Sequence, residues 1–166
     1  NSKECYAYFG LAVYFSQVLE HQLVNMIVLL KLSQGLIASE SDYETIYERR
    51  LSSTLGQLIN EIKQLFQLNK DEENELKEVL KLRNFIVHDY FKENINLTFT
   101  RSGREKIIKD LNEFVDRVRK LDKFLEDYSN PLGEKLGISQ DMIEEEVRKI
   151  KAKEQLKESQ DIFSRD

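Results

Sequence analysis

Apolar residues recur at three- and four-residue spacing along almost the whole chain, the period of helices with one buried face. Tyr6, Phe9, Val13, Leu19, Leu23, Ile27 and Leu30 predict a first helix from about Lys3 to Leu32. Ser33-Gln-Gly35 ends it, with Gly35 as a left-handed cap. N-cap residues in Ser39–Asp42 precede a second helical stretch from about Tyr43, which Ser52-Ser53 breaks. Beyond the break, Leu55, Leu58, Ile59, Ile62, Leu65 and Phe66 form an amphipathic stripe. Asn69 followed by Asp71-Glu72-Glu73 opens a helix that runs to His88 or Tyr90. Ser102-Gly-Arg-Glu105 reads as a capping box for a helix to about Asp127. Ser129-Asn-Pro131 and Gly133 then mark a turn, and a last helix from about Ser139 carries Met142, Ile143, Val147 and Ile150 before a charged tail.

One segment departs from this period. Asn94–Thr100 alternates polar and apolar residues as a strand does. With no second strand to pair with, it reads as an extended connection. The expected fold is all-α, a four- to five-helix up-and-down bundle with short loops and mostly antiparallel neighbours. Residues 1–130 form the bundle; residues 131–166 supply a C-terminal helix and charged tail. Within the first helix Cys5–Leu19 is apolar and uncharged, but Glu20 and His21 separate it from the apolar run Gln22–Leu30. Neither piece reaches the roughly 20 residues of a membrane span, so a long helix buried on most of its faces is expected. No basic leader with a small-residue cleavage site precedes it. The chain begins at Asn1 rather than Met, as a segment of a longer protein would.

Composition narrows the function classes. One Pro and six Gly in 166 residues, 33 % of them charged, argue against a turn-rich sandwich or barrel. A single Cys, Cys5, excludes an intrachain disulfide framework and a Cys-based zinc site, and the expected location is the cytoplasm. A net charge of −5 argues against a generic nucleic-acid coat, although Lys81–Lys109 is locally +4. No phosphate-binding Gly-rich loop or metalloprotease motif is present, and no metal or cofactor is expected.

One position breaks the helical pattern. The stripe Leu76, Val79, Ile86 and Tyr90 would place residue 83 among apolar side chains, and residue 83 is arginine. A guanidinium in a core slot is costly unless it is paired or reaches water. A salt-bridged arginine at the bundle edge is the plain explanation. Asn84 and His88 follow, one turn apart, with Tyr90 two turns from Arg83. Residues five apart on a helix diverge by about 140°, so Arg83 and His88 meet only by side-chain reach, at a helix break or across a dimer.

The stretch Leu82-Arg-Asn-Phe-Ile-Val-His-Asp-Tyr90 resembles the R-x4-H-x-Y form of the R-x4–6-H motif of HEPN-domain proteins, HepT-type toxins above all. The resemblance implies a helical bundle with the motif on a late helix. It implies a metal-independent endoribonuclease that acts as a homodimer, the toxin of a toxin–antitoxin or phage-defence system. It also implies an MNT-type nucleotidyltransferase antitoxin that attaches AMP to the tyrosine at position 90.

The residue types suit that reaction. In RNA cleavage by 2′-OH attack one group takes the hydroxyl proton, another gives a proton to the leaving 5′-oxygen, and a cation steadies the phosphorane. The His88 imidazole is suited to either proton role. Arg83 can grip two phosphate oxygens, Asn84 can hold the imidazole or a phosphate oxygen, and Tyr90 can orient the scissile group. Each chain has only two histidines, and His21 has no motif around it, so a two-fold dimer would supply the second proton carrier. Three readings stay open: an RNase with an open cationic Arg83–His88 cleft, a non-catalytic dimerisation or nucleotide-binding module in which packing closes that face, or a helical regulator without a ligand in which Arg83 is an interface salt bridge.

Overall fold

Hydroxyl and amide side chains satisfy the helix starts as the sequence pattern requires. Ser39, Thr54, Asn69 and Thr100 each accept a hydrogen bond from a backbone N–H two or three residues on. Thr54–Gln57 and Asn69–Glu72 complete reciprocal capping boxes. In a computed structural model that describes residues 1–163 (for Glu40, Leu51 and residues 160–163 the backbone only), these starts open four of the seven α-helices. They are α1 (Ser2–Ser33), α2 (Glu40–Leu51), α3 (Leu55–Leu65), α4 (Lys70–His88), α5 (Tyr90–Asn94), α6 (Arg101–Lys135) and α7 (Gln140–Phe163). A 3₁₀ turn, Ile95–Phe99, lies between α5 and α6, and no strand occurs among the described residues.

Side-chain pairings fix the directions. Tyr43 borders a groove with Leu29 and Leu32, and the Tyr47 hydroxyl lies 3.4 Å from His21 Nδ1, so α2 descends along α1. Arg83 meets Glu20 and Phe91 meets Tyr6 and Phe9, so α4 and α5 also run against α1. Arg119 sits over the Phe15 ring, and Gln22 donates to the Ser129 hydroxyl at 3.4 Å. α6 is therefore parallel to α1. Lys31 pairs with Glu61 and Lys63 with Glu73, so α3 runs with α1 and against α4. α1, α2, α3, α4 and α6 thus alternate in direction, and the odd number makes α1 and α6 parallel. Consecutive helices are antiparallel as expected; the bundle's largest helix pair is not.

That pair forms a seam. Ala12, Ser16, Leu19, Leu23 and Met26 on α1 face Ile107, Leu111, Phe114, Val118, Leu121 and Leu125 on α6, all buried and all at alternating three- and four-residue spacing. The polar member, Ser16, satisfies its hydroxyl on the Ala12 carbonyl at 2.9 Å. α1 is long and apolar enough to cross a membrane by length and composition alone, and here it is packed into this core. Glu20 and His21 do not interrupt it. Burial on most faces holds only for its second half, where Leu23, Val24, Met26, Ile27 and Val28 are all enclosed; in its first half Tyr6, Leu11 and Tyr14 stand exposed.

Three local expectations are corrected. Asn94–Thr100 is not extended: most of it forms the 3₁₀ turn, in which the Thr98 hydroxyl donates to the Ile95 carbonyl at 2.6 Å. The cap of α6 is Thr100, whose side chain accepts from Gly103 N–H at 3.0 Å, while Glu105 pairs with Arg101. Ser129-Asn-Pro131 is no turn, since α6 runs through it to Lys135. Pro131 deprives only the carbonyl of Asp127 of its partner, and that residue is exposed to water. The true stop is Gly137, at φ 75°, where Ile138 N–H bonds the Gly133 carbonyl and Gly137 N–H bonds that of Glu134. Gly35, at φ 69°, closes α1 in the same way. α7 leaves this stop with its side chains exposed from residue 140 to 159.

Gly103 carries the close approach between α6 and the 3₁₀ turn. A Cβ there would lie 2.2 Å from the Leu97 carbonyl oxygen, whereas one at Gly56 would meet Leu80 at an ordinary 3.7 Å. Gly103→Ala is expected to cost about 1–3 kcal/mol in urea unfolding, and Gly56→Ala much less. Equal midpoints for the two variants would contradict this packing.

Candidate functional site

α4 presents Leu76, Val79 and Ile86 to the core, and Arg83 falls on the same face. Its side chain is only 22 % exposed. The guanidinium is satisfied from two sides. Nη2 donates to Glu20 Oε1 on α1 at 2.7 Å, and Nη1 donates to Asn84 Oδ1 at 3.1 Å. Nε is buried without a hydrogen-bond partner. Glu20 is 28 % exposed, so the pair sits at the rim, where a charge-assisted bond is worth about 1–3 kcal/mol.

A cleft of about 630 Å³ opens where the start of α3 meets the outer half of α4. Thr54, Leu55 and Gly56 form one wall; Arg83, Asn84 and His88 are on the other, beside Lys81. The structure thus brings Arg83, Asn84 and His88 to one open cleft, although the helix directs Arg83 and His88 apart. Side-chain reach past Asn84 closes the difference. His88 is the exposed last residue of α4, a position where the helix dipole favours a cation.

Tyr90 is not in this cleft. The helix breaks at Asp89 and Tyr90 opens α5, with its ring buried between Phe85 and Phe91. Its hydroxyl donates to Asp110 Oδ2 at 3.0 Å, and Lys106 Nζ reaches the same oxygen at 2.6 Å. Burial, and then the bond to Asp110, hold the phenol well above the ordinary tyrosine range. Nor is Lys81–Lys109 a free basic patch. Lys81, Lys106 and Lys109 pair with Glu78, Asp110 and Glu113, acids just outside the counted stretch.

Glu20 is the residue that sequence reasoning missed as part of the site. Its signal was present: Glu20 is the only charged residue between Cys5 and Leu30, apart from His21 beside it. A solitary acid in an apolar helix and a solitary base on the apolar stripe of another helix are candidates to pair. Compared with known proteins, the chain matches no family model, no curated protein and no solved structure.

The Tyr90 phenol gives this region an alkaline signature. The folded chain holds the proton more tightly than the unfolded one, so this contribution to stability is complete below about pH 10 and is lost as the pH rises above it. Tyr90→Phe should cost about 1 kcal/mol at neutral pH and flatten the alkaline loss of stability. Denaturant titrations between about pH 8 and 11 that showed an unchanged slope would contradict the buried, protonated phenol.

Proposed function

We propose that this chain is a HEPN-type, metal-independent endoribonuclease that works as a homodimer in the cytoplasm. It would be the toxin of a toxin–antitoxin or phage-defence pair, with a nucleotidyltransferase antitoxin that modifies Tyr90. The observation that carries this reading is that Arg83, Asn84 and His88 share an open cleft. A module with that face closed by packing would have none.

The chemistry follows from the lining. α3 begins on the cleft wall, and its capping box uses the N–H groups of Thr54 and Gln57. Those of Leu55 and Gly56 have no acceptor within the helix, so the wall carries the partial positive charge that suits a phosphate. Arg83, held at the rim by Glu20, retains N–H groups for phosphate oxygens. One His88 takes the 2′-OH proton while the 2′-oxygen attacks phosphorus. As the P–O5′ bond breaks, the His88 of the second subunit protonates the departing 5′-oxygen, leaving a 2′,3′-cyclic phosphate and a 5′-hydroxyl.

The non-catalytic module has its own support in the Arg83–Glu20 pair, which already occupies part of the guanidinium. Purified protein and a labelled RNA pool separate the two readings. His88 is exposed, so His88→Ala should leave folding intact and slow cleavage by about 10²-fold or more. Cleavage should survive a chelator. Absence of cleavage by the parent chain, or cleavage indifferent to His88→Ala, would exclude the nuclease.

A further inference from the structure

α1 has a second seam that the bundle leaves open. Ala7, Gly10, Tyr14, Gln17 and His21 follow one another at three- and four-residue spacing, the same alternation as the inner seam against α6, and all five are exposed. Tyr6 and Leu11 flank them, 52 % and 36 % exposed, and a Cβ on Gly10 would meet nothing within 4 Å. No charged residue lies between Cys5 and Leu19, in a chain that is 33 % charged. The exposed positions of α6 and α7 are dominated by Lys, Arg, Asp and Glu. A solvated helix face has no reason to be free of charge over four turns, and this one carries the tyrosines favoured at protein interfaces.

We propose that this outer face of α1 is the two-fold interface between copies of the chain, α1 lying antiparallel against α1. The inference rests on the dimeric reading of the site and names the surface that makes the dimer. Three features select a second copy as the occupant. The face is uncharged, so it offers an unlike, charged partner nothing to recognise. Its large and small residues are self-complementary: antiparallel helices crossing near residue 12 put Tyr14 of each copy over the other's Gly10. A shallow hollow of about 390 Å³ bordered by Tyr14, Val18, His21 and Asp122 extends the face on its α6 side and gives a projecting side chain somewhere to go. Glu20 points about 100° round α1 from His21, towards α4, so the Arg83–Glu20 pair lies to one side of this face and leaves it free. A lipid surface fits less well. Such a face needs a basic rim, and α1 carries only Lys3 and Lys31, at its two ends.

Sedimentation of the full chain tests this. The parent protein should be a dimer at micromolar concentration. Tyr14→Glu and Gln17→Arg, both at exposed positions, should each weaken the dimer by about 100-fold or more, because the first sets like charges beside the two-fold and the second presses an unpaired charge against Ala7 of the other copy. Helical circular dichroism should stay unchanged, and Lys77→Glu on the exposed side of α4 should leave the dimer intact. A parent chain that stays monomeric, a dimer that survives both seam variants, or binding of the parent chain to anionic vesicles lost in Tyr14→Glu, would overturn the proposal. RNA cleavage read alongside separates the two failures: a dimer without cleavage removes the nuclease and keeps the interface, and cleavage by a monomer does the reverse.

Discussion

Every helix from α2 to α6 leans on α1, and this dependence constrains the rest of the molecule. α6 occupies one side of it along a heptad-like seam; α2, α3 and α4 take others, and α5 touches it through Phe91. A post used from so many sides cannot carry charge on its inner faces, which accounts for Cys5, Ala12, Leu19, Leu23 and Met26. It does not account for the outer face. The same absence of charge there, with exposed tyrosines, is a constraint that the monomer leaves unused.

The one acid that α1 carries beyond its first turn is spent on Arg83. The arginine in turn is the one cation on the apolar stripe of α4, so the pair ties the two antiparallel helices at the level of the cleft. The geometry makes Glu20 a positioning group on the proposed reading. It holds the guanidinium at the rim, and Asn84 adds a second bond from the same helix. A phosphate would approach an arginine already fixed in place, without first paying the entropy of ordering it.

Helix existence was legible because the three–four spacing is long and regular, and the caps at Asn69 and Gly35 follow from side-chain chemistry at single positions. Arg83 stood out because one charge in an apolar stripe is a local anomaly. The errors came where two local signals competed. Ser102 and Glu105 fit the capping box better on paper than Thr100 does, yet Thr100 is the residue with extended backbone, at φ −114° and ψ 155°. Pro131 suggested a turn, but a helix can carry a proline where the orphaned carbonyl faces water. What no periodicity could give was register between helices. The Arg83–Glu20 pair, the burial of Tyr90 against Asp110 and the cleft wall from α3 all depend on it.

Tyr90 sets a condition on the proposed regulation. Its ring lies 3 % exposed and its hydroxyl is bonded, so no partner can attach a nucleotide to it in this conformation. Access requires the ring to leave the core. The architecture makes that movement local: α4 ends at His88, the backbone departs from the helix at Asp89, and α5 is five residues long before the 3₁₀ turn begins. Displacing α5 would break one hydroxyl–carboxylate bond and three aromatic contacts, Tyr90 with Phe85 and Phe91 with Tyr6 and Phe9, while leaving the α1–α6 seam untouched. Such partial opening costs less than global unfolding. A nucleotide on the displaced tyrosine would then keep α5 from returning, two residues from His88. On this reading, modification would silence the site by holding open a piece of core that the catalytic helix needs closed.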